Sequence, residues 1–340
     1  MNTRHQAIEA FVNLHVPGAE LHPLAGDASF RRYIRITHKS GPFMLMDAPP
    51  EKEDVRPFTS VARSLVEEGF SAPRIVASDE AQGFLLLEDL GDDTFSRLLR
   101  ADISRETEYY TAAVELLAAW HNGAFPPCNL LPYDTALLMR EVQLFPNWFL
   151  PQLMDGAALL EAQKDFEAVW RNILEAAPLA MDQFVHRDYH ADNLMWLPKR
   201  IGVQRIGLLD FQDAVAGDAA YDMVSLLEDA RRDVPQALAQ QMIVHYLQET
   251  GADAERFSFA YALLAAQRNS KIVGIFTRLA ARDGKKHYLD YLPRVWGHLT
   301  RDAQHPELAP LKQWLDTYVP QDKRGVIAIR KDAQALGLAA

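Results

Sequence analysis

The sequence predicts an α+β protein in two lobes, small and strand-rich at the N-terminus, larger and mostly helical after it. Three observations predict it. A chain of 340 residues exceeds what one hydrophobic core usually holds. Before about residue 90 the pattern includes strand-like alternation, with Tyr33, Arg35 and Thr37 interleaved with Ile34 and Ile36; beyond it, apolar residues recur at helical spacing. Between the two, the apolar run Phe84-Leu85-Leu86-Leu87 enters the acidic turn Glu88-Asp89-Leu90-Gly91. A strand, a flexible segment and then a helix is what joins two lobes. The boundary falls at residues 88–92, giving an N-lobe of 1–90, a C-lobe of 91–320 and a loosely ordered tail of 321–340.

The elements follow in order. Residues 4–15 present Ile8, Phe11 and Val12 on one helical face, and Val16-Pro17-Gly18 ends that helix. Gly26 to Phe30 form a turn before the alternating strand. Ser40-Gly41-Pro42 turns the chain into a short buried strand, Phe43-Met44-Leu45-Met46. Val55, Phe58, Ala62, Leu65 and Val66 mark a helix within 51–69, stopped by Gly69. In the second lobe, helices are expected at 106–121, 134–153 (interrupted at Pro146), 158–177, 222–232, 235–250, 255–282, 285–301 and 307–318. There are no internal repeats and no long linker.

Bulk composition narrows the function. The chain is 49% hydrophobic and 24% charged, ordinary values for a globular protein. A net charge of −11 argues against a general nucleic-acid binder or an anionic-membrane binder, both of which favour basic surfaces. One local basic pocket would still admit an anionic substrate. The single cysteine, Cys128, rules out an internal disulfide framework and fits a reducing compartment. The polar N-terminus lacks the apolar core of a signal peptide, and no run reaches the roughly 18 apolar residues of a membrane span. A cytoplasmic monomer is expected.

The chemistry concentrates in His186-Arg187-Asp188-Tyr189-His190-Ala191-Asp192-Asn193 and in Leu208-Leu209-Asp210-Phe211-Gln212. Between them, Leu194–Leu197 and Val203–Leu209 flank a Pro/Gly turn and read as a hairpin. Hairpin strands lie about 4.8 Å apart, so Asn193 and Asp210 return to one another. An oxygen from each can hold one hard cation such as Mg²⁺, with Asp188 left to meet a hydroxyl. Phosphoryl transfer needs such parts: a metal to spread phosphate charge, an aligned acceptor and a carboxylate for its proton. His186 reads as a brace for the loop rather than a base or metal ligand, since no metal-binding spacing surrounds it. Asp222 starts a helix and, like Asp218, reads as structural. Gln212 and Asp213 lie beside the metal pair, and Gln212 is a candidate for contact with the acceptor.

These segments resemble the aminoglycoside phosphotransferase/choline kinase branch of the protein-kinase-like fold, across nearly the whole chain. The resemblance implies ATP as phosphate donor, Asp188 as catalytic base, and Asn193 and Asp210 as Mg²⁺ ligands. It makes Gly26, Asp27, Ala28 and Ser29 the phosphate loop and Glu88, Asp89 and Leu90 the adenine hinge, which acts through backbone groups. One departure stands out. Kinases usually carry a lysine on the third strand, and Phe43-Met44-Leu45-Met46-Asp47 has none. Arg31, Arg32 or Lys52 could supply the charge, and Arg32 is grouped with the nucleotide residues.

A narrower resemblance rests on Gly-Asp-Ala-Ser-Phe-Arg-Arg-Tyr (26–33), Met-Asp-Ala-Pro-Pro-Glu (46–51), the Asp188 loop, and Gln-Arg-Asn-Ser-Lys-Ile-Val-Gly-Ile-Phe (267–276). These are similar to the bacterial anomeric N-acetylmuramate/N-acetylglucosamine kinases of peptidoglycan recycling, in which the missing lysine is expected. The implied substrate is an amino sugar, phosphorylated on its C1 hydroxyl to the α-1-phosphate. Arg268, Lys271 and Arg278 fall on about one face of helix 255–282. That face is either simply solvated or a positive site for the lactyl carboxylate of N-acetylmuramate, with Arg268 and Asn269 the first candidates. Other readings are a kinase for an amino alcohol or an aminoglycoside, whose cationic substrates want an acidic pocket, and a nucleotide-binding pseudokinase.

Overall fold

Alternation along a single strand gives the N-terminal sheet two unlike faces, and the site is built on one of them. The computed structural model describes residues 3–24, 30–123 and 130–331. The chain divides into two units, Met1–Leu130 with His186–Ala214, and Leu131–Val185 with Val215–Ala340. The expected division near residue 90 therefore falls inside the first unit, which also takes the segment carrying Asp188, Asn193 and Asp210.

In the first unit, α1 (Thr3–His15) precedes β1 (Glu20–Pro23), β2 (Arg32–Thr37) and β3 (Phe43–Asp47). Then come α2 (Arg56–Glu67), β4 (Ile75–Asp79), β5 (Phe84–Glu88), α3 (Phe95–Ala101) and α4 (Glu106–Asn122). The five strands form an antiparallel sheet in the order β1-β2-β3-β5-β4. Successive side chains on a strand point to opposite faces. Ile34 and Ile36 of β2, Leu45 of β3 and Phe84 and Leu86 of β5 accordingly share one face, packed on Ile8, Phe11 and Val12 of α1. Burying each such side chain is worth about 1.5–3 kcal/mol. Tyr33 and Arg35 of β2, Met44 of β3 and Leu87 of β5 point the other way and line a cavity.

Asp47 belongs to the α1 face and is fully buried there, which its charge alone would forbid. Arg4 of α1 and Arg32 of β2 each approach it to 2.6 Å and satisfy it. The α3 helix was not among the expected elements; Thr94 caps it, its Oγ1 accepting from the Arg97 N–H at 3.2 Å.

The second unit is helical around one long helix, Ala254–Asp283, capped by Asp253 at its start and by Gly284 in the left-handed region at its end. The expected helix 134–153 is three pieces: Thr135–Val142, a π-helical turn Phe145–Phe149 and Leu150–Leu153. Pro146 has no N–H to continue the ladder, and a wider turn takes up the mismatch. Gly274 of the long helix is where this turn comes closest. A Cβ there would lie 2.4 Å from the Leu144 carbonyl oxygen, so only glycine permits the approach. Three very short strands, Leu131–Pro132, Val215–Gly217 and Gln183–Val185, add a small sheet that periodicity over two or three residues cannot reveal. The tail is ordered further than expected. The Arg330 and Lys331 N–H groups donate to Gln152 Oε1 at 2.8 and 3.0 Å, and Ile327 is buried. Residues 332–340 lie outside the described residues.

Candidate active site

The segment that carries Asp188, Asn193 and Asp210 is anchored at both ends. Leu194–Trp196 pairs antiparallel with Ile206–Leu208, and the Leu209 N–H adds one more rung on the Asn193 carbonyl at 3.0 Å. Asn193 and Asp210 thus flank the same end of the hairpin. Gly207 lets that hairpin close, because a Cβ there would lie 2.9 Å from Met195 Cβ and 3.1 Å from Leu90 Cδ1. The loop before it is pinned by Tyr189, whose buried hydroxyl donates to the Ala113 carbonyl of α4 at 2.9 Å. His190 N–H and Asn193 Nδ2 both donate to the Asp188 carbonyl at 3.0 Å, which fixes the turn and leaves Asn193 Oδ1 as a cation donor.

Two residues here hold a backbone conformation that non-glycine residues rarely adopt: Arg187 at φ 74° and Asp210 at φ 61°. Each costs of order 1–3 kcal/mol, and such strain concentrates at functional sites. His186 is fully buried, and desolvation pushes its pKa down to about 4, so it is neutral at physiological pH. Its ring meets Tyr189 and Phe211 edge-on, with centroids 5.8 and 6.5 Å away, which places it between the Asp188 loop and the residue after Asp210.

Asp210 keeps half of its side-chain surface open, yet the surrounding protein desolvates it enough to raise its pKa. Repulsion from Asp188 adds to this; a Gln212 Nε2–H donated to Asp210 Oδ1 at 2.9 Å and the Arg31 charge oppose it. A carboxylate so placed gains most from a bound cation. Among the described residues no group of three or more His, Cys, Asp or Glu is arranged around a metal. Two oxygen donors, Asn193 and Asp210, instead suit a hard divalent ion that keeps waters and substrate phosphates as its other ligands. Such an ion, when bound, neutralises developing phosphate charge.

Asn193 and Asp210 also form part of the wall of a cavity of about 360 Å³ within the first unit. Leu24, Met44, Leu87, Met195 and Leu209 supply apolar surface, and the expected hinge residues Glu88, Asp89 and Leu90 form one side. Apolar walls with a few convergent polar groups are what a planar base attached to phosphates requires. The hinge side chains are spoken for: Arg200 and Arg74 hold Glu88 at 2.6 and 3.1 Å, and Arg35 holds Asp89 at 2.7 Å. Tyr33, Arg35, Met44 and Met195 were not singled out from the sequence, although the alternation of Tyr33 and Arg35 with the isoleucines already put them on a shared face.

Gly26, Asp27, Ala28 and Ser29 lie outside the described residues. Arg32 requires a correction. It faces α1 with Ile34, where Asp47 holds it at 2.6 Å, and the cavity is on the other side of the sheet. The basic face expected on the long helix is also revised. Arg268 is buried, Lys271 pairs with Glu141 at 2.8 Å, and Arg278 is half-buried with its pKa lowered by desolvation. Asn269 is fully buried and donates to Glu228 at 2.7 Å and Asp302 at 3.0 Å, a structural placement for a residue expected at the substrate. Arg268 donates from Nη2 to Ser225 Oγ at 3.0 Å, while its buried Nη1 has no hydrogen-bond partner.

A model of the phosphotransferase enzyme family matches residues 20–259. The chain belongs to that family. A curated relative from Caulobacter vibrioides, an N-acetylmuramate/N-acetylglucosamine kinase, is 37% identical and is covered over 92% of its length by 88% of this chain. One of the same name from Pseudomonas aeruginosa is 38% identical, with 89% of it and 88% of this chain covered. Among solved structures, choline kinase LicA from Streptococcus pneumoniae superposes with a TM-score of 0.60 at 11% identity, over 91% of this chain and 99% of its own. That likeness establishes the protein-kinase-like α+β fold. Family membership makes the chain a kinase that draws on ATP and a divalent cation.

Proposed function

We propose that the protein phosphorylates the anomeric C1 hydroxyl of N-acetylmuramate and N-acetylglucosamine, using ATP and Mg²⁺, to give the α-1-phosphate. Asp188 takes the hydroxyl proton, Asn193 and Asp210 hold Mg²⁺, and the cavity beside Glu88, Asp89 and Leu90 receives the adenine. The observation that carries this reading is the similarity at 37–38% identity, over most of both chains, to kinases named for these two sugars. N-acetylmuramate carries a carboxylate that N-acetylglucosamine lacks, and Arg268 is the candidate cation for it. We assign a cytoplasmic location and a monomeric state on the same footing; among the described residues no helix is long and apolar enough to cross a membrane.

Incubation with Mg-ATP and a panel of amino sugars, amino alcohols and aminoglycosides, followed by phosphorus NMR, tests the substrate. An anomeric phosphate on the two sugars is expected, whereas a product only with a cationic acceptor, or none at all, would overturn the reading. Arg268→Ala is expected to lower kcat/KM for N-acetylmuramate roughly 10- to 100-fold more than for N-acetylglucosamine, as loss of one charge-assisted contact implies. An equal loss on both sugars would remove Arg268 from the carboxylate site.

A further inference from the structure

We propose that Arg31 is the cation that holds the nucleotide's phosphates in this protein, and that Glu53 positions it. The inference rests on the nucleotide-dependent reaction proposed above and deepens it. On β3 the side chains that alternate away from Leu45 and Asp47 are Met44 and Met46, so no strand cation reaches the cavity from there. The residue just before β2 supplies one instead. Arg32, Ile34 and Ile36 face α1, whereas Arg31, Tyr33 and Arg35 have the opposite parity, and Tyr33 and Arg35 line the cavity.

The neighbouring cations are committed elsewhere. Arg32 is on Asp47, Lys52 lies 5.4 Å over the Phe30 ring, and Arg35 is on Asp89 and Asp92 at the hinge. Arg31 alone of these four comes to Asp210: its Nη1 is 3.6 Å from Asp210 Oδ1 and its Nε is 3.5 Å from Glu53 Oε2. Tyr33, on the same face, turns its hydroxyl to Met46 Sδ at 3.5 Å. Glu53 is itself fixed, because the Lys52 and Glu53 N–H groups donate to the Pro49 carbonyl at 2.8 and 3.0 Å. With only 14% of its side chain exposed, Arg31 is a largely buried charge held beside Asp210, which lines the cavity. A guanidinium there offers planar paired donors to phosphate oxygens, and a carboxylate behind it limits its rotamers.

The test separates phosphate binding from base binding. Affinities for adenosine, ADP and Mg-ATP are measured by calorimetry for the wild type, Arg31→Gln, Arg31→Lys and Glu53→Gln, each checked for an unchanged melting transition. Arg31→Gln is expected to weaken ADP and Mg-ATP roughly 10- to 100-fold while adenosine stays within about twofold. Arg31→Lys should recover part of the loss. Glu53→Gln should show the same phosphate-dependent pattern at smaller size, which a purely structural residue would not. Equal weakening of all three ligands, or no weakening, overturns the proposal, as does a phosphate-dependent loss in Arg32→Gln and not in Arg31→Gln. No sugar enters the measurement, so failure to phosphorylate the two sugars would refute the substrate reading alone.

Discussion

His186 ties the stability of the catalytic segment to pH. It is fully buried, and its pKa falls from 6.5 to about 4 mainly through desolvation. A folded pKa below the unfolded value means that the unfolded chain takes up the proton first as pH falls. The stability linked to this group is therefore complete above about pH 6.5 and is lost as pH falls toward 4. One pKa unit is worth about 1.36 kcal/mol, so at pH 5 the loss from this residue is about 2 kcal/mol. His186→Phe removes the titration and puts a larger ring in a fully buried site, and is expected to cost about 1–3 kcal/mol at pH 7.5. Urea unfolding of both proteins at pH 7.5, 6.5, 5.5 and 5 measures the difference. The deficit of the variant should shrink by about 2 kcal/mol between pH 7.5 and 5, because carboxylates titrate alike in both proteins and cancel. A deficit that stays constant or widens as pH falls would refute the buried neutral imidazole.

The remaining expectations are more local. Asp188→Asn should lower kcat by roughly 10²–10⁴ with Mg-ATP affinity retained, measured by steady-state kinetics and calorimetry. Gly274→Ala forces a Cβ to within 2.4 Å of the Leu144 carbonyl oxygen, and the resulting overpacking should destabilise by about 1–3 kcal/mol or more, read as a lowered melting temperature. Asp302 is buried, and desolvation first and the Glu228 charge second raise its pKa well above the ordinary carboxylate value. It accepts from Asn269 Nδ2 at 3.0 Å, which an amide oxygen can also do; Asp302→Asn should stay within about 1 kcal/mol of wild type at pH 7, whereas Asp302→Leu should cost several times that in denaturant unfolding.

The hairpin that brings Asn193 and Asp210 to one end was legible because its partners are close in sequence and a hairpin is a local structure. The spacing from Asp188 to Asn193 and the apolar strand before Asp210 carry that information without any distant contact. Helix 235–250 and helix 255–282 were legible for the same reason, and their observed bounds, Gln236–Thr250 and Ala254–Asp283, differ by one residue at most. The buried setting of Asn269 was not legible, because its hydrogen-bond partners Glu228 and Asp302 lie 41 and 33 residues away. Nothing in a helical repeat distinguishes a polar residue bound for a buried network from one bound for a ligand.

Arg31 and Arg32 mark a different kind of limit, since the deciding signal was present. Ile34 and Ile36 alternate with Tyr33 and Arg35, and extending that alternation two residues backwards puts Arg32 with the isoleucines and Arg31 with the tyrosine. What the sequence lacks is the sign, meaning which face meets a helix and which a cavity. The sheet order supplies it. With α1 covering Leu45, Phe84 and Leu86, the face of Ile34 and Ile36 is the core face, and a charge placed there needs a buried counter-charge. Asp47 is that counter-charge, opposite Arg32 in the β2–β3 register. The buried aspartate and the first arginine of the alternation therefore explain each other. Arg31, one residue earlier, is the arginine left to the face that carries Tyr33 and Arg35 into the cavity.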